Sequence, residues 1–384
     1  MRKALVPPVW ALLFGAAFPA TPPAGRPSLP PPREALEKGV DWLAAHQFPD
    51  GGWGSHESAR VYKILCDVPG SHRAFRVATS ALCVIALEES PYKPPAARKA
   101  ASRGIDYLLG HYGVKRPNGM EHYNVWSFGF TLHCFGDWLL HHPRDPRNPA
   151  LRKAASELVK KLEIYQCTDG GWGYLSLKGI PTYHPSDTSM SFTTATALVG
   201  LARARAAGVE VPDQVVKKAL ALMERCRTPE GSFLYGYYLR YRLTHGINSP
   251  KGSACRTPAC QYSMMLFGRK FSLEERIEAL ENLLIRFPRF QKIAVRNPVP
   301  HQSWYAISGY FYLYGHAYAA WLMDTLPGKV RARFRRLLYE GTMYCRQPDG
   351  SFWDYPLYGY HKPYGTAFAV IALSRALPPG EKKR

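Results

Sequence analysis

Two kinds of helical pattern alternate along the chain. In the first kind, apolar side chains recur every three or four positions with charged residues between them, which predicts a helix that buries one face. Residues 151–165 and 273–284 show this pattern most clearly. Ser272 and Glu275 stand three positions apart at the start of the second stretch, so they predict a capping box.

The second kind of pattern is apolar on almost every face, which is typical of a buried helix. Six segments have this composition: 77–87, 126–140, 193–204, 259–268, 304–323 and 364–373. Each of them comes after an amphipathic stretch and a turn. The repeating unit is therefore an outer amphipathic helix, a turn and an inner buried helix, and six units predict twelve helices with negligible strand content.

The turns themselves repeat. Four related phrases occur, namely PDGGWG (49–54), TDGGWG (168–173), PEGSF (229–233) and PDGSF (348–352). The first glycines of successive phrases are 119, 61 and 119 residues apart. A period near 60 leaves room for two degenerate copies, which we place at 116–120 and 286–298.

A closed ring satisfies both kinds of helix at once, because inner helices can pack around an axis while outer helices cover them. The alternative is an open helical solenoid, which needs terminal repeats with a polar outer face. Here the first and last repeats resemble the middle ones. The sequence therefore predicts an all-α domain that closes on itself.

The phrase DGGWG has a structural explanation. Glycine tolerates the backbone angles of a tight reversal, and an aspartate before it stabilises the turn. The large aromatic residue can then pack between neighbouring repeats, and a glutamine at the end of the preceding helix can bond a neighbouring helix terminus. The residues given these turn roles are Gln47, Trp53, Gln166, Trp172, Phe233, Gln347 and Phe352.

Glutamine followed by Gly-Gly or Gly-Ser and then Trp or Phe resembles the QW motif of squalene–hopene and oxidosqualene cyclases. The same helix–turn–helix unit occurs in protein prenyltransferase β subunits. The resemblance covers residues 35–377 and is especially close over 187–212. It implies an (α/α)6 toroid with an apolar central cavity, although a fold does not fix a function.

The catalytic motif of the class II cyclases is only partly matched. The family supplies its acid in an Asp-x-Asp-Asp-Thr motif, and this chain has HPSDTS at 184–189 in the matching place. His184 replaces the first Asp, and Ser186 replaces the proton donor. Serine cannot protonate an alkene. Asp187 remains, either as the N-cap of the following helix or as an acid that works with His184.

Prenyltransferase chemistry is matched less well. The resemblance implies a zinc site made of Asp, Cys and His, for which Cys260 and His361 are the nearest matches, but Pro258 stands where the Asp belongs. The Asp-rich DDxxD cluster of Mg²⁺-dependent enzymes does not occur. We predict no metal and no cofactor.

A histidine precedes each inner helix, at 72, 122, 184, 245, 301 and 361. One interpretation is that the repeats copy one another and each histidine makes a loop bond. The other is a titratable rim around one mouth of the cavity. For this rim we predict His72, His122, His301 and His361, with Tyr305 and Tyr364 beside them.

The N-terminus predicts export. Residues 1–20 have a basic start, a short apolar run and small residues, as in a secretory signal peptide. A Pro-rich linker follows at 21–33, then the toroid at 34–378 and a basic tail at 379–384. The mature chain is expected to begin between residues 18 and 27, and an uncleaved membrane anchor is the alternative.

Export makes disulfides feasible for the eight cysteines, of which Cys83 and Cys134 are expected in the core. The formal net charge of +21 favours anionic partners or a membrane surface, but no nucleic-acid-binding motif appears. Three functions stay open. They are an enzyme of the terpenoid cyclase superfamily acting on an isoprenoid, a non-catalytic toroid that binds lipid or a protein partner, and an (α/α)6 polysaccharide lyase or glycosidase.

Overall fold

The computed structural model describes residues 29–57, 69–116, 121–175, 188–243, 245–296, 301–302, 307–308 and 311–380. The chain divides after Pro30, and all the described helices belong to the second unit, residues 31–384. The predicted signal peptide, most of the predicted linker, most of the basic tail and most of the degenerate copy at 116–120 lie outside the described residues. No helix of the described ranges is long and apolar enough to cross a membrane.

The described helices in chain order are α1 (Pro32–Ala45), α2 (Pro69–Glu89), α3 (Pro95–His111), α4 (Asn124–His141), α5 (Asn148–Ile164), α6 (Ser191–Ala206), α7 (Asp213–Arg225), α8 (Pro250–Ser253), α9 (Thr257–Met265), α10 (Leu273–Glu281), α11 (Pro288–Ala294), α12 (Tyr312–Asp324), α13 (Gly328–Met343) and α14 (His361–Ala376). Helix α1 begins two residues before the boundary predicted at 34, because Pro32 fits the first helical position, where no N–H is needed. Strands β1 (His301–Gln302) and β2 (Ile307–Ser308) pair antiparallel. Strand content is thus very small in the described ranges.

Six inner helices form a closed ring. Each of α2, α4, α6, α9, α12 and α14 packs against the next one, and α14 packs against α2. This last contact excludes the open solenoid. The prediction of an all-α, closed (α/α)6 toroid is confirmed.

The outer helices cover the ring as the two hydrophobic patterns predict. Helix α7 packs on α6 and α9 and buries one face, with Val216, Ala219 and Met223 in the core. Helix α6, by contrast, is buried over nearly its whole circumference. The capping box of α10 is present, since Ser272 Oγ accepts from the N–H of Glu275 over 3.1 Å and Glu275 accepts from the N–H of Ser272 over 2.7 Å.

The turn between α5 and α6 shows why the phrase needs glycine. Gly170 has a φ of +103°, which side-chain-bearing residues rarely adopt. A Cβ atom at Gly170 would lie 2.6 Å from the carbonyl oxygen of Lys218 on α7. The turn is therefore packed directly against the next outer helix, and no larger residue fits.

Two segments differ from their predicted structure. The fifth inner helix begins at Tyr312, not near 304, and Ile307–Ser308 is a strand. The start of this helix is fixed from another repeat, because the carboxylate of Asp354 accepts from the N–H of Leu313 over 2.8 Å. Residues 288–294 form α11 and not a degenerate turn, with Pro288 at its first position.

The cysteines are core residues. Seven of the eight are described, and each of them is buried. Cys83 and Cys134 lie in the core, as predicted. Their burial contributes to the packing between the repeats.

Candidate functional site

Aromatic rings from all six repeats meet where the inner helices begin. We call this set the aromatic belt: Phe75, Tyr123, Trp126, Tyr174, Phe192, Tyr235, Phe311 and Tyr360. Successive rings lie close together, with centroid distances of 4.8 Å for Phe75–Tyr123, 5.9 Å for Trp126–Phe192 and 4.3 Å for Phe192–Phe311. Tyr360 reaches Phe75 at 5.9 Å. The periodicity of the repeats explains the arrangement, because each contributes a ring near the same end of its inner helix.

Below the belt, polar contacts cross the axis of the ring. Thr196 Oγ1 on α6 lies 3.2 Å from the hydroxyl of Tyr314 and 3.1 Å from that of Tyr318, both on α12. Phe130 of α4 meets Phe368 of α14 at 6.1 Å. Side chains therefore fill the axis at this depth.

The belt has the chemistry of a site for apolar or cationic groups. Phe75, Trp126 and Tyr174 are only half-buried, so parts of their rings remain exposed. The faces of aromatic rings attract positive charge, and their apolar area packs against hydrocarbon or the faces of sugars. The arrangement can hold an elongated apolar molecule or stabilise a cation.

Asp354 is a buried carboxyl group beside this region that the sequence did not reveal. Its side chain is fully buried and accepts hydrogen bonds from the N–H of Leu313 and, over 3.1 Å, from the hydroxyl of Tyr364. Burial raises the pKa of Asp354 to about 6, despite the hydrogen bonds that lower it. The only sequence signal was an aspartate inside the aromatic segment that follows the sixth turn.

The predicted catalytic pair, His184 and Asp187, lies outside the described residues. Helix α6 begins at Ser191 with Met190 at its N-cap. The segment before the helix is held extended, because the N–H of Met190 donates to Trp172 O over 3.0 Å. Both interpretations of Asp187 stay predictions.

The prenyltransferase-like zinc site gains no support. Cys260 is fully buried on α9, and burial raises the pKa of its thiol to about 12. His361 bonds through Nδ1 to Tyr358 O and stands edge-on to Trp353 at 5.0 Å. Over the described ranges, no group of three potential metal ligands includes Cys260 or His361.

The periodic histidines have different surroundings. His72 meets Tyr358 at 4.7 Å, and its carbonyl oxygen accepts from Tyr360 of the belt. His122 is buried against Tyr165 of the outer layer, and burial lowers its pKa to about 4. His245 is exposed and accepts from the N–H of Ile247.

His361, with Trp42 and His46, lines a cavity of about 350 Å³ beside α1. Tyr364, which was also predicted for the rim, donates to Tyr355 O over 3.0 Å. The side chains of His301 and Tyr305 are not among those described. The rim therefore stays a prediction.

The turn glutamines of the first and third repeats make equivalent hydrogen bonds. Gln47 Nε2 donates to Gly51 O and to Ala100 O of α3, each over 2.8 Å. Gln166 Nε2 donates to Gly170 O over 2.7 Å and to Val215 O of α7 over 2.9 Å. Gln347 differs, since it bonds Cys345 O and Arg346 O within its own turn.

The aromatic turn residues are equally regular. The backbone N–H groups of Trp53, Trp172 and Phe352 donate to hydroxyl groups of Ser80, Thr194 and Thr366 on the inner helices, over 2.9, 3.0 and 2.9 Å. Phe233 is also buried, but its partner differs, since its carbonyl oxygen accepts from the guanidinium group of Arg256. The turn phrase thus joins an outer helix, an inner helix and the next repeat.

Residues 32–239 match the family described as the squalene-hopene cyclase C-terminal domain, which is more than half of the chain. The chain belongs to this family. The family accounts for the repeated turn residues, which carried the resemblance in the sequence.

Two squalene–hopene cyclases are similar to about half of this chain. A probable squalene–hopene cyclase from Sinorhizobium fredii is 27% identical over 241 residues, which is 56% of this chain and 34% of the relative. The squalene–hopene cyclase of Zymomonas mobilis is 28% identical over 226 residues, or 53% of this chain and 30% of the relative. The chain thus spans about a third of the length of these relatives.

Two solved structures with the same fold are enzymes of different kinds. An inactive variant of an α-1,6-mannanase from Salegentibacter sp., in complex with α-1,6-mannotetrose, has a TM-score of 0.57 at 10% identity and covers 89% of this chain and 98% of its own. A type II terpene cyclase from Scytonema, in complex with geranylgeranyl dihydroxybenzoate, has a TM-score of 0.50 at 13% identity, with 90% and 97% covered. At such identities the likeness shows the fold alone.

Proposed function

We propose that this member of the squalene–hopene cyclase family binds an isoprenoid-like apolar molecule at the aromatic belt. The observation that carries the proposal is the belt itself, to which every repeat contributes a ring. Its three partly exposed rings, Phe75, Trp126 and Tyr174, give a hydrocarbon an apolar surface without requiring polar partners. The names of the two curated relatives point to the same class of ligand.

The residues favour binding of a ligand over the acid-catalysed cyclisation that is usual in the family. The position of the family's proton donor is Ser186, and serine is not an acid. Asp354 takes up a proton near neutral pH, but it is fully buried and already bonded to Tyr364. We therefore propose a lipid-binding toroid, with cyclisation only if Asp187 supplies the proton.

Calorimetric titration with geranylgeraniol tests the binding. The test variant is Phe75→Leu in the belt. The matched control is Phe48→Leu, because Phe48 is an exposed ring outside the belt that lines the cavity beside α1. We expect Phe75→Leu to raise the Kd by at least fivefold and Phe48→Leu to leave it unchanged. Equal effects of the two variants, or no saturable binding by the wild type, would contradict the proposal.

Product analysis separates binding from catalysis. Incubation with squalene, followed by mass spectrometry, should give no cyclised product from the wild type if the chain only binds. Cyclised product that disappears in Asp187→Asn would make Asp187 the acid and the protein a cyclase. Product that persists in Asp187→Asn would point to another acid, for which Asp354→Asn is the next variant.

A glycosidase is the second candidate, favoured by the fold likeness to the α-1,6-mannanase. Glycoside hydrolysis needs two carboxyl groups that flank the bond, about 5–10 Å apart. Near the belt the described buried carboxyls are Glu121 and Asp354, and both accept hydrogen bonds from neighbouring side chains. Release of reducing sugar from α-1,6-mannan by the wild type, lost in Glu121→Gln, would favour this function over lipid binding.

We also propose that the protein is exported and that its basic charge brings it to anionic membrane surfaces. The support is the basic and apolar start of the chain and the net charge of +21. N-terminal sequencing of the protein from its native cells should find a start between residues 18 and 27. Recovery from the cytosol with Met1 intact would contradict export.

A further inference from the structure

Charged side chains gather at the opposite end of the ring, where the inner helices end. We call this group the charged cluster: Glu89 of α2, His133 and Asp137 of α4, Arg203 of α6 and Arg375 of α14. Tyr262 of α9 and Trp321 of α12 complete it, so every inner helix contributes. The side chains of His133 and Asp137 are 2% and 8% exposed, in a helix whose buried residues are mostly apolar.

Glu89 is held by two partners. Arg375 Nη1 lies 2.7 Å from one oxygen of Glu89, and Trp321 Nε1 donates to both oxygens over 3.1 Å. Arg375 also bonds Asp324 through Nε over 2.8 Å. The carboxylate of Glu89 is therefore fixed in position. Its partner Arg375 also contacts a second carboxylate, that of Asp324.

His133 and Asp137 are not satisfied in the same way. His133 Nε2 lies 3.1 Å from Asp137 Oδ2, but the atoms are poorly aligned, and neither Nε2 nor Asp137 Oδ1 has a hydrogen-bond partner. Arg203 Nε approaches Asp137 Oδ1 at 3.4 Å and also lacks a hydrogen bond. Buried polar atoms without a hydrogen-bond partner are uncommon, and a bound ion is one way to satisfy them.

The donor atoms suit a divalent metal ion. One ligand atom each of Glu89, His133 and Asp137 lies within 4.8 Å of the other two. Ligand atoms around a bound metal are about 3–3.5 Å apart. The ligand atoms of His133 and Asp137 therefore need to move by about 1 Å toward Glu89 to close the set. An imidazole and two carboxylates match zinc and its first-row neighbours better than Ca²⁺ or Mg²⁺.

The charges around the three ligands leave a net negative charge that favours a cation. Glu89, Asp137 and Asp324 carry three negative charges, whereas Arg203 and Arg375 carry two positive ones. The carboxyl ends of the six inner helices lie at this side of the ring and add negative potential.

We propose that Glu89, His133 and Asp137 form a binding site for a divalent transition-metal ion of the zinc class. Three protein ligands leave coordination positions for water or a further ligand. The site lies at the end of the ring away from the aromatic belt, so it goes beyond the proposed lipid binding and does not depend on it.

Metal binding by the chelator-treated full chain tests the site, with Zn²⁺ for stoichiometry and Co²⁺ for its visible absorption. We expect one ion per chain, and a Kd for Zn²⁺ that rises at least tenfold in Asp137→Asn. The matched control is the neighbouring pair Glu88 and His142, which lie 3.0 Å apart at the same end of α2 and α4. Glu88→Gln and His142→Ala should bind as the wild type does.

Thermal unfolding separates a ligand from a purely structural ion pair. Zn²⁺ should raise the Tm of the wild type and of Glu88→Gln but not that of Asp137→Asn. If Asp137→Asn does not fold, Glu89→Gln and His133→Gln serve in its place. Absence of Zn²⁺ and Co²⁺ binding by the wild type, or equal binding by the cluster variants and the controls, would overturn the proposal.

Discussion

Trp172 donates its indole N–H to the carbonyl oxygen of Leu162, ten residues earlier, over 2.8 Å. Trp53 makes the same bond to Leu43 O, also over 2.8 Å, and both indoles are fully buried. The two acceptors belong to the last turns of α5 and α1, where helix carbonyls have no partner within the helix. The tryptophan of the turn phrase therefore closes the helix that precedes it.

Removal of this bond should destabilise the protein. Trp172→Phe leaves Leu162 O buried without its donor and opens a small void, so we expect a loss of about 2–3 kcal/mol in the free energy of unfolding. Trp42 is a buried indole whose Nε1 has no hydrogen-bond partner, so Trp42→Phe should lose less. Urea unfolding of both variants gives the comparison, and equal losses would contradict the role of the bond.

The glutamines of the turns should differ in importance. Gln166 joins its own turn to Val215 of the next outer helix, whereas Gln347 bonds only within its turn. We expect Gln166→Met to reduce the free energy of unfolding by about 1 kcal/mol more than Gln347→Met, because a bond between repeats is lost. Chemical denaturation of both variants measures the two losses. A larger loss of unfolding free energy in Gln347→Met would show that the inter-repeat bond is unimportant.

Alanine variants of Gly170 and Gly268 should distinguish the cost of backbone strain from the cost of a steric clash. Both have positive φ, at +103° and +80°, but only Gly170 has backbone atoms where a Cβ would lie. Gly268→Ala should therefore cost about 1 kcal/mol, and Gly170→Ala more than about 3 kcal/mol or a failure to fold. Expression level and Tm are sufficient measurements. Similar Tm values for the two variants would mean that the turn moves away from α7.

Asp354 should make stability depend on pH. Its pKa in the folded protein is about 6, above the ordinary value of 3.8, so the folded state binds this proton more tightly than the unfolded state. Ionisation of the buried carboxyl lowers the free energy of unfolding. This cost is absent below about pH 4, grows as the pH rises to about 6, and then levels off at about 3 kcal/mol. Asp354→Asn removes this penalty. Relative to the wild type, the variant should thus gain about 3 kcal/mol between pH 4 and pH 7 in urea unfolding, and a constant difference would disprove the assignment.

Hydrophobic period and turn chemistry were enough to predict the fold. The outer and inner helices differ in how many of their faces are apolar, and that difference alone predicts two layers. Boundaries were predictable only where the signal is local, as at Ser272 and Glu275. The start of α12 was not, because Asp354 fixes it from 41 positions along the chain.

The site was less predictable for the same reason. The aromatic belt assembles rings that lie far apart in the sequence and look like ordinary core residues there. The charged cluster gave one signal that could have been used: His133 and Asp137 stand in the apolar segment 126–140, where a buried helix has no reason to keep them. Glu89, at the end of α2, gave none.

The contact between α14 and α2 has a consequence for synthesis on the ribosome. Helix α2 is made early, but one of its two neighbours in the ring is the last inner helix to emerge. Until then an apolar side of α2 stays exposed, and packing between the first and sixth repeats must wait for nearly the whole chain. Such long sequence separations slow folding and leave partly made chains prone to aggregation. A nascent toroid of this kind is thus a natural client for chaperones in a way that an open array of the same repeats, which can fold from one end, is not.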